Sequence, residues 1–131
     1  MQTVIGLLVF AAAAPPAPED AVVRRLVEAL KDVDPEVRQN VAIALAKLGT
    51  PAIDPLVNAL KDAAPEKRSG AAYTLALIGP PARSAMPALL DALADKDTDV
   101  RRQVSYAIGR ILLPGRPSPE VTAPQPRGGL R

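Results

Sequence analysis

The chain has 131 residues, which is enough for one domain, and 48% of them are hydrophobic. With no Cys and no His, disulfides, thiolate nucleophiles, zinc fingers and Ser–His–Asp or Cys–His catalysis are excluded. The net charge of +2, from 16 basic and 14 acidic residues that largely alternate, describes a mixed solvated surface rather than a basic face for nucleic acid.

The first 20 residues, MQTVIGLLVFAAAAPPAPED, hold an uncharged apolar run from Val4 to Ala14 followed by a Pro-rich spacer. The run is too short to span a bilayer comfortably. It reads as the apolar region of an export signal over residues 1–13, with Ala11-Ala12-Ala13 as the small-residue cleavage site, although no Lys or Arg precedes it. The expected location is therefore periplasmic or secreted, or cytoplasmic if the run instead covers the first helices.

Between residues 21 and 112 the chain repeats itself. Leu26-Val-Glu-Ala-Leu30-Lys-Asp32 returns as Leu56-Val-Asn-Ala-Leu60-Lys-Asp62, and more loosely as Leu89-Leu-Asp-Ala-Leu93-Ala-Asp95, at spacings of 30 and 33 residues. A second block follows each copy: Pro35-Glu-Val-Arg38, Pro65-Glu-Lys-Arg68 and Thr98-Asp-Val-Arg101. Then come Val41-Ala42, Leu45 and Leu48; Ala71-Ala72, Leu75 and Ile78; Val104-Ser105, Ile108 and Ile111. Apolar residues at i, i+1, i+4 and i+7 mark one face of a helix, and no alternating β-branched run predicts a strand.

Each unit is thus a pair of helices, A then B. The A helices are predicted at 21–31, 52–61 and 83–94, and the B helices at 35–48, 65–78 and 98–112. Gly49 and Gly79 suit the left-handed position that closes a helix, and Pro51, Pro80 and Pro81 forbid its continuation. Asp34 and Asp97 stand at the N-caps of B helices with Pro35 and Thr98 next, whereas Ala64 offers the middle B helix no acceptor and Gly70 weakens its interior. A single pair cannot hide its apolar side, so the three units, about 21–49, 50–79 and 80–112, must stack. The expected fold is all-α: a right-handed α-solenoid of three antiparallel helix pairs. Residues 113–131, with five Pro and three Gly, predict a disordered tail.

The blocks A-L-K-D-x-D-P-E-V-R and A-x-A-L-x-x-L-G resemble HEAT repeats, in particular the short type named after phycobilisome lyase subunits, over residues 22–112. The resemblance implies B helices on the concave side. It also implies a structural ladder in which Arg38, Arg68 and Arg101 pair with the carboxylates of Asp32, Asp62 and Asp95. Its implied function is non-catalytic: a scaffold that holds a protein or peptide, with no cofactor. Accessory work in a bilin lyase and nucleic-acid binding are the alternatives.

On the B helices, Asn40, Gly70 and Gln103 align, as do Ile43, Tyr73 and Tyr106, and Lys47, Leu77 and Arg110. The two tyrosines share one repeat position and predict a side-by-side pair suited to an interface. The expected partner-binding set is Asn40, Ile43, Lys47, Tyr73, Leu77, Gln103, Tyr106 and Arg110, with Gly70 leaving the backbone open to a partner. Asp91, Asp95, Asp97 and Asp99 lack the spacing of a calcium loop and read as caps and helix-start charges. Ile111-Leu112-Leu113, with no polar capping repeat in sight, predicts an apolar end, and with it either end-to-end self-association or a short or truncated version of a longer array.

Overall fold

The computed structural model describes residues 18–115; the apolar run predicted as an export signal and nearly all of the Pro-rich tail lie outside them. Among the described residues six α-helices follow in order: α1 (Pro18–Ala29), α2 (Pro35–Leu48), α3 (Ile53–Ala59), α4 (Pro65–Ile78), α5 (Met86–Ala92) and α6 (Thr98–Leu112). They pair as α1–α2, α3–α4 and α5–α6, and the pairs stack so that α4 packs on both α2 and α6. No strand occurs among the described residues, and no described helix is long and apolar enough to cross a membrane.

Local chemistry sets the B-helix bounds. Asp34 and Asp97 have extended backbone, and their carboxylates accept from the amides of Glu36 at 2.8 Å and Val100 at 3.0 Å. Ala64 has the same conformation (φ −81°, ψ 119°) but no side-chain acceptor, so α4 starts uncapped. At the other end Gly49 and Gly79 take φ of 72° and 74°, where a Cβ is strained, and donate back to the carbonyls of Leu45 and Leu75.

All three A helices depart from the predicted ranges, the first by starting at Pro18, inside the predicted spacer, and ending at Ala29. A 3₁₀ segment, Thr50–Ala52, leads into α3, and a longer one, Pro80–Ala85, leads into α5. The prolines here supply no N–H to an α-helical ladder, and Ala82 (φ −86°, ψ 17°) breaks the helical path, so α5 begins at Met86. The longer lead-in has six residues against three, which absorbs the difference between the 33- and 30-residue spacings.

The core is aliphatic: Leu30, Leu45, Leu56, Leu75, Leu89, Val100, Val104 and Ile111 are fully buried. The middle helix α4 is enclosed on several sides and meets its neighbours through Ala71, Ala72, Ala76 and Gly70. A Cβ built at Gly70 would stand 3.2 Å from the Leu30 Cβ. This glycine therefore admits the preceding repeat, and its backbone is only partly buried.

Candidate binding groove

A recurring turn joins each A helix to its B helix. The carboxylates of Asp32, Asp62 and Asp95 accept from the amides two residues on, those of Asp34, Ala64 and Asp97, at 2.9, 3.0 and 2.9 Å. Each repeat's Arg then reaches back into the same turn. Arg38 donates to the Asp32 and Val33 carbonyls, Arg68 to those of Asp62 (2.9 Å) and Ala63 (3.0 Å), and Arg101 to that of Asp95 (2.7 Å). A helix C-terminus ends in orphan carbonyls and a partial negative charge, so a guanidinium suits it.

The carboxylate ladder implied by the resemblance is met in a different form. Within a repeat Arg contacts backbone carbonyls, not the Asp carboxylate. Of the three ladder arginines only Arg68 grips a carboxylate, that of Asp95 in the next repeat, with Nε–Oδ2 of 2.8 Å and Nη2–Oδ1 of 3.0 Å. Both side chains are nearly buried, at 8% and 11% exposure. The fork-on-carboxylate geometry holds Asp95 below the ordinary carboxylate range and Arg68 above its own ordinary value, against the opposing effect of desolvation.

The first junction is held differently. Lys67 bridges Glu28 at 2.7 Å and Asp62 at 3.1 Å. Glu28 is lowered by its bonds to Lys31 and Lys67, Asp62 is lowered chiefly by the Ala64 amide and then Lys67, and Lys67 is raised chiefly by Glu28.

The B helices line an open hollow of about 1050 Å³. Its floor holds Tyr73 of α4 and Tyr106 of α6, stacked with ring centroids 6.5 Å apart and planes 20° from parallel. Both rings pack partly against the core, so the pair is held from below while one side faces the hollow. The rim is polar: Gln39 from α2, Glu66 and Ser69 from α4, and Asp99, Arg102 and Gln103 from α6. Asp99 and Arg102 form an exposed pair at 3.0 Å.

Of the residues predicted from sequence, Gly70, Tyr73, Gln103 and Tyr106 line this hollow, while Asn40, Ile43, Lys47, Leu77 and Arg110 are not among its lining. Ile43 and Lys47 are exposed, and Leu77 packs against the core. The row the sequence reading missed is Gln39, Ser69 and Arg102, with Glu66 and Asp99 one turn earlier. These residues also recur at equivalent repeat positions. Their signal was in the register all along, four and seven residues before the tyrosine row. Among the acidic run, Asp95 serves Arg68, Asp97 caps α6 and Asp99 pairs with Arg102, and no group of described residues forms a metal cluster.

The family model for HEAT repeats matches residues 6–60 and, overlapping, residues 53–124. No curated protein matches the chain.

Proposed function

Since the chain belongs to the HEAT-repeat family, we propose that it works as a non-catalytic binding module that holds an extended polypeptide segment across α2, α4 and α6. The observation that carries this reading is the stacked Tyr73–Tyr106 pair on the floor of the hollow. Tyrosines pre-held by a core offer large contact area at little entropic cost, which is what interface anchors require.

Packed helices lie about 8–10 Å apart and an extended chain advances about 3.3 Å per residue, so roughly six or seven residues cross three B helices. Such a segment sets an apolar or aromatic side chain over the tyrosines. Its backbone amides and carbonyls meet Gln39, Ser69 and Gln103, and its charges meet a rim carrying both signs. A polyanion is disfavoured by Glu66 and Asp99 in that rim and by a net charge of only +2.

The test is selection from a displayed library of random heptapeptides. The native chain enriches a family of sequences with an apolar anchor, and Tyr73→Ala/Tyr106→Ala or the exposed Arg102→Glu weakens their binding about tenfold or more. Thermal melts establish that each variant is folded. Peptides retained equally by folded groove variants, or no enrichment at all, overturn the reading.

A further inference from the structure

The three repeats provide an internal control for what a stacked neighbour covers. Leu30 and Leu60 are 0% and 4% exposed, yet their equivalent in the last repeat, Leu93, is 41% exposed. Val27, at 6%, corresponds to Leu90, at 54%. The α5–α6 end therefore presents apolar side chains at positions that are buried or partly buried in the two preceding repeats. The opposite end does the same: Val100 is fully buried, whereas its equivalent in the first repeat, Val37, is 38% exposed. Leu26 and Val41 are half-buried where Leu56, Leu89, Ala71 and Val104 are buried.

The polar groups at the two ends are complementary as well. Arg101 grips its own turn as Arg68 does, through the Asp95 carbonyl. The guanidinium edge that Arg68 turns to the Asp95 carboxylate has, in Arg101, the exposed Thr98 hydroxyl at 3.1 Å. At the other end Asp32 holds the same turn as Asp95, with its carboxylate on the amide two residues on.

One position decides which pairing a junction uses. In the incoming second repeat it is Lys67, which takes the Asp62 carboxylate and leaves Arg38 on backbone carbonyls. In the incoming third repeat it is Val100, and Asp95 goes to Arg68. In the first repeat it is Val37, so Asp32 has the Asp95 arrangement with no lysine at that position to compete.

We infer that the two ends form one self-complementary junction: the α5–α6 face of one copy receives the α1–α2 face of a second copy. Asp32 of the incoming copy takes the outward edge of Arg101, and Leu90 and Leu93 are covered by Val37, Leu26 and Val41. The contact is heterologous, so it yields linear head-to-tail oligomers that continue the row of B helices. It uses neither tyrosine and is independent of what the groove holds.

Sedimentation velocity of the full chain over a wide concentration range tests this. The weight-average mass rises from 13.7 kDa as concentration increases. Arg101→Glu and Asp32→Arg each weaken association about tenfold or more, because like charges then meet at the junction. A one-to-one mixture of the two variants recovers it, since every contact in an alternating chain again joins opposite charges. Leu93→Lys, at an already exposed site, weakens association without lowering the melting temperature. A native chain that stays at its monomer mass overturns the inference, as does association indifferent to these variants, or a mixture that fails to recover.

Discussion

The two junctions of this stack share a register but not a chemistry. Between the first and second repeats, Lys67 joins Glu28 and Asp62 near the surface, and the helices approach through Gly70 against Leu30. Between the second and third, a nearly buried Arg68 holds Asp95 through both of its oxygens, and a tyrosine from each repeat stacks across the junction. The same fold tolerates both because the repeats' apolar positions fix the stacking, while one residue, Lys67 or Val100, decides which cation the Asp carboxylate meets. The charged contacts are thus alternatives laid over a common hydrophobic frame. Their energetic weights differ with burial.

That difference makes the second junction the place to strike first. Arg68→Leu leaves Asp95 buried without its partner and removes two further bonds to turn carbonyls. It lowers stability by about 3 kcal/mol in denaturant unfolding. Asp95→Leu costs a similar amount, and the double variant costs clearly less than the sum, because neither charge is then stranded. The pair also gives a pH signature. Asp95 is held below the ordinary carboxylate range when folded, so the folded state binds its proton less readily than the unfolded chain. Its contribution is complete above about pH 5 and is lost as pH falls through the lowered folded value. Melts at decreasing pH should show a steeper decline for the native chain than for Arg68→Leu.

The middle repeat carries the next effect. Ala64 already has the N-cap backbone of Asp34 and Asp97, so Ala64→Asp supplies the missing acceptor and stabilises the fold by about 1 kcal/mol. A decrease in melting temperature would show that the new carboxylate conflicts with Asp62 instead.

Two helix-interior glycines, Gly70 in α4 and Gly109 in α6, then separate propensity from packing. Gly109→Ala in α6 meets nothing within 4 Å and raises stability by about 0.5–1 kcal/mol. Gly70→Ala must push Leu30, and the crowding cancels or reverses the same gain. Equal gains at both positions would mean that the first junction is looser than the contact with Leu30 implies.

The smallest effect sharpens the comparison most. Lys67→Val copies the second junction's residue into the first, and changes stability by less than about 1 kcal/mol, as expected for a pair whose Glu28 partner is half exposed. Asp62 then becomes available to Arg38. A double-mutant cycle between Arg38 and Asp62 should show coupling in the Lys67→Val background and little in the native chain.

Much of the fold was written in local sequence. The bounds of α2, α4 and α6 follow from a cap position and Pro or Thr at the start, and from a left-handed Gly after α2 and α4, all short-range effects. The all-helical class and the stacking follow from periodicity, because an apolar stripe on a single helix pair has to be covered. The side-by-side tyrosines were legible for the same reason: equivalent positions in stacked units become neighbours.

Tertiary structure alone decided the rest. Sequence places Asp62 six residues before Arg68, but the carboxylate that Arg68 holds belongs to Asp95, 27 residues away. That choice depends on how closely successive repeats stack. Periodicity likewise identifies the apolar stripe of a B helix without saying which flank turns to the hollow and which to the preceding repeat. Gly70 stands against Leu30 at the edge of the hollow, and Ser69 and Arg102 went to the rim, because the angle between pairs is set by side chains on several helices at once, and no single helix encodes it.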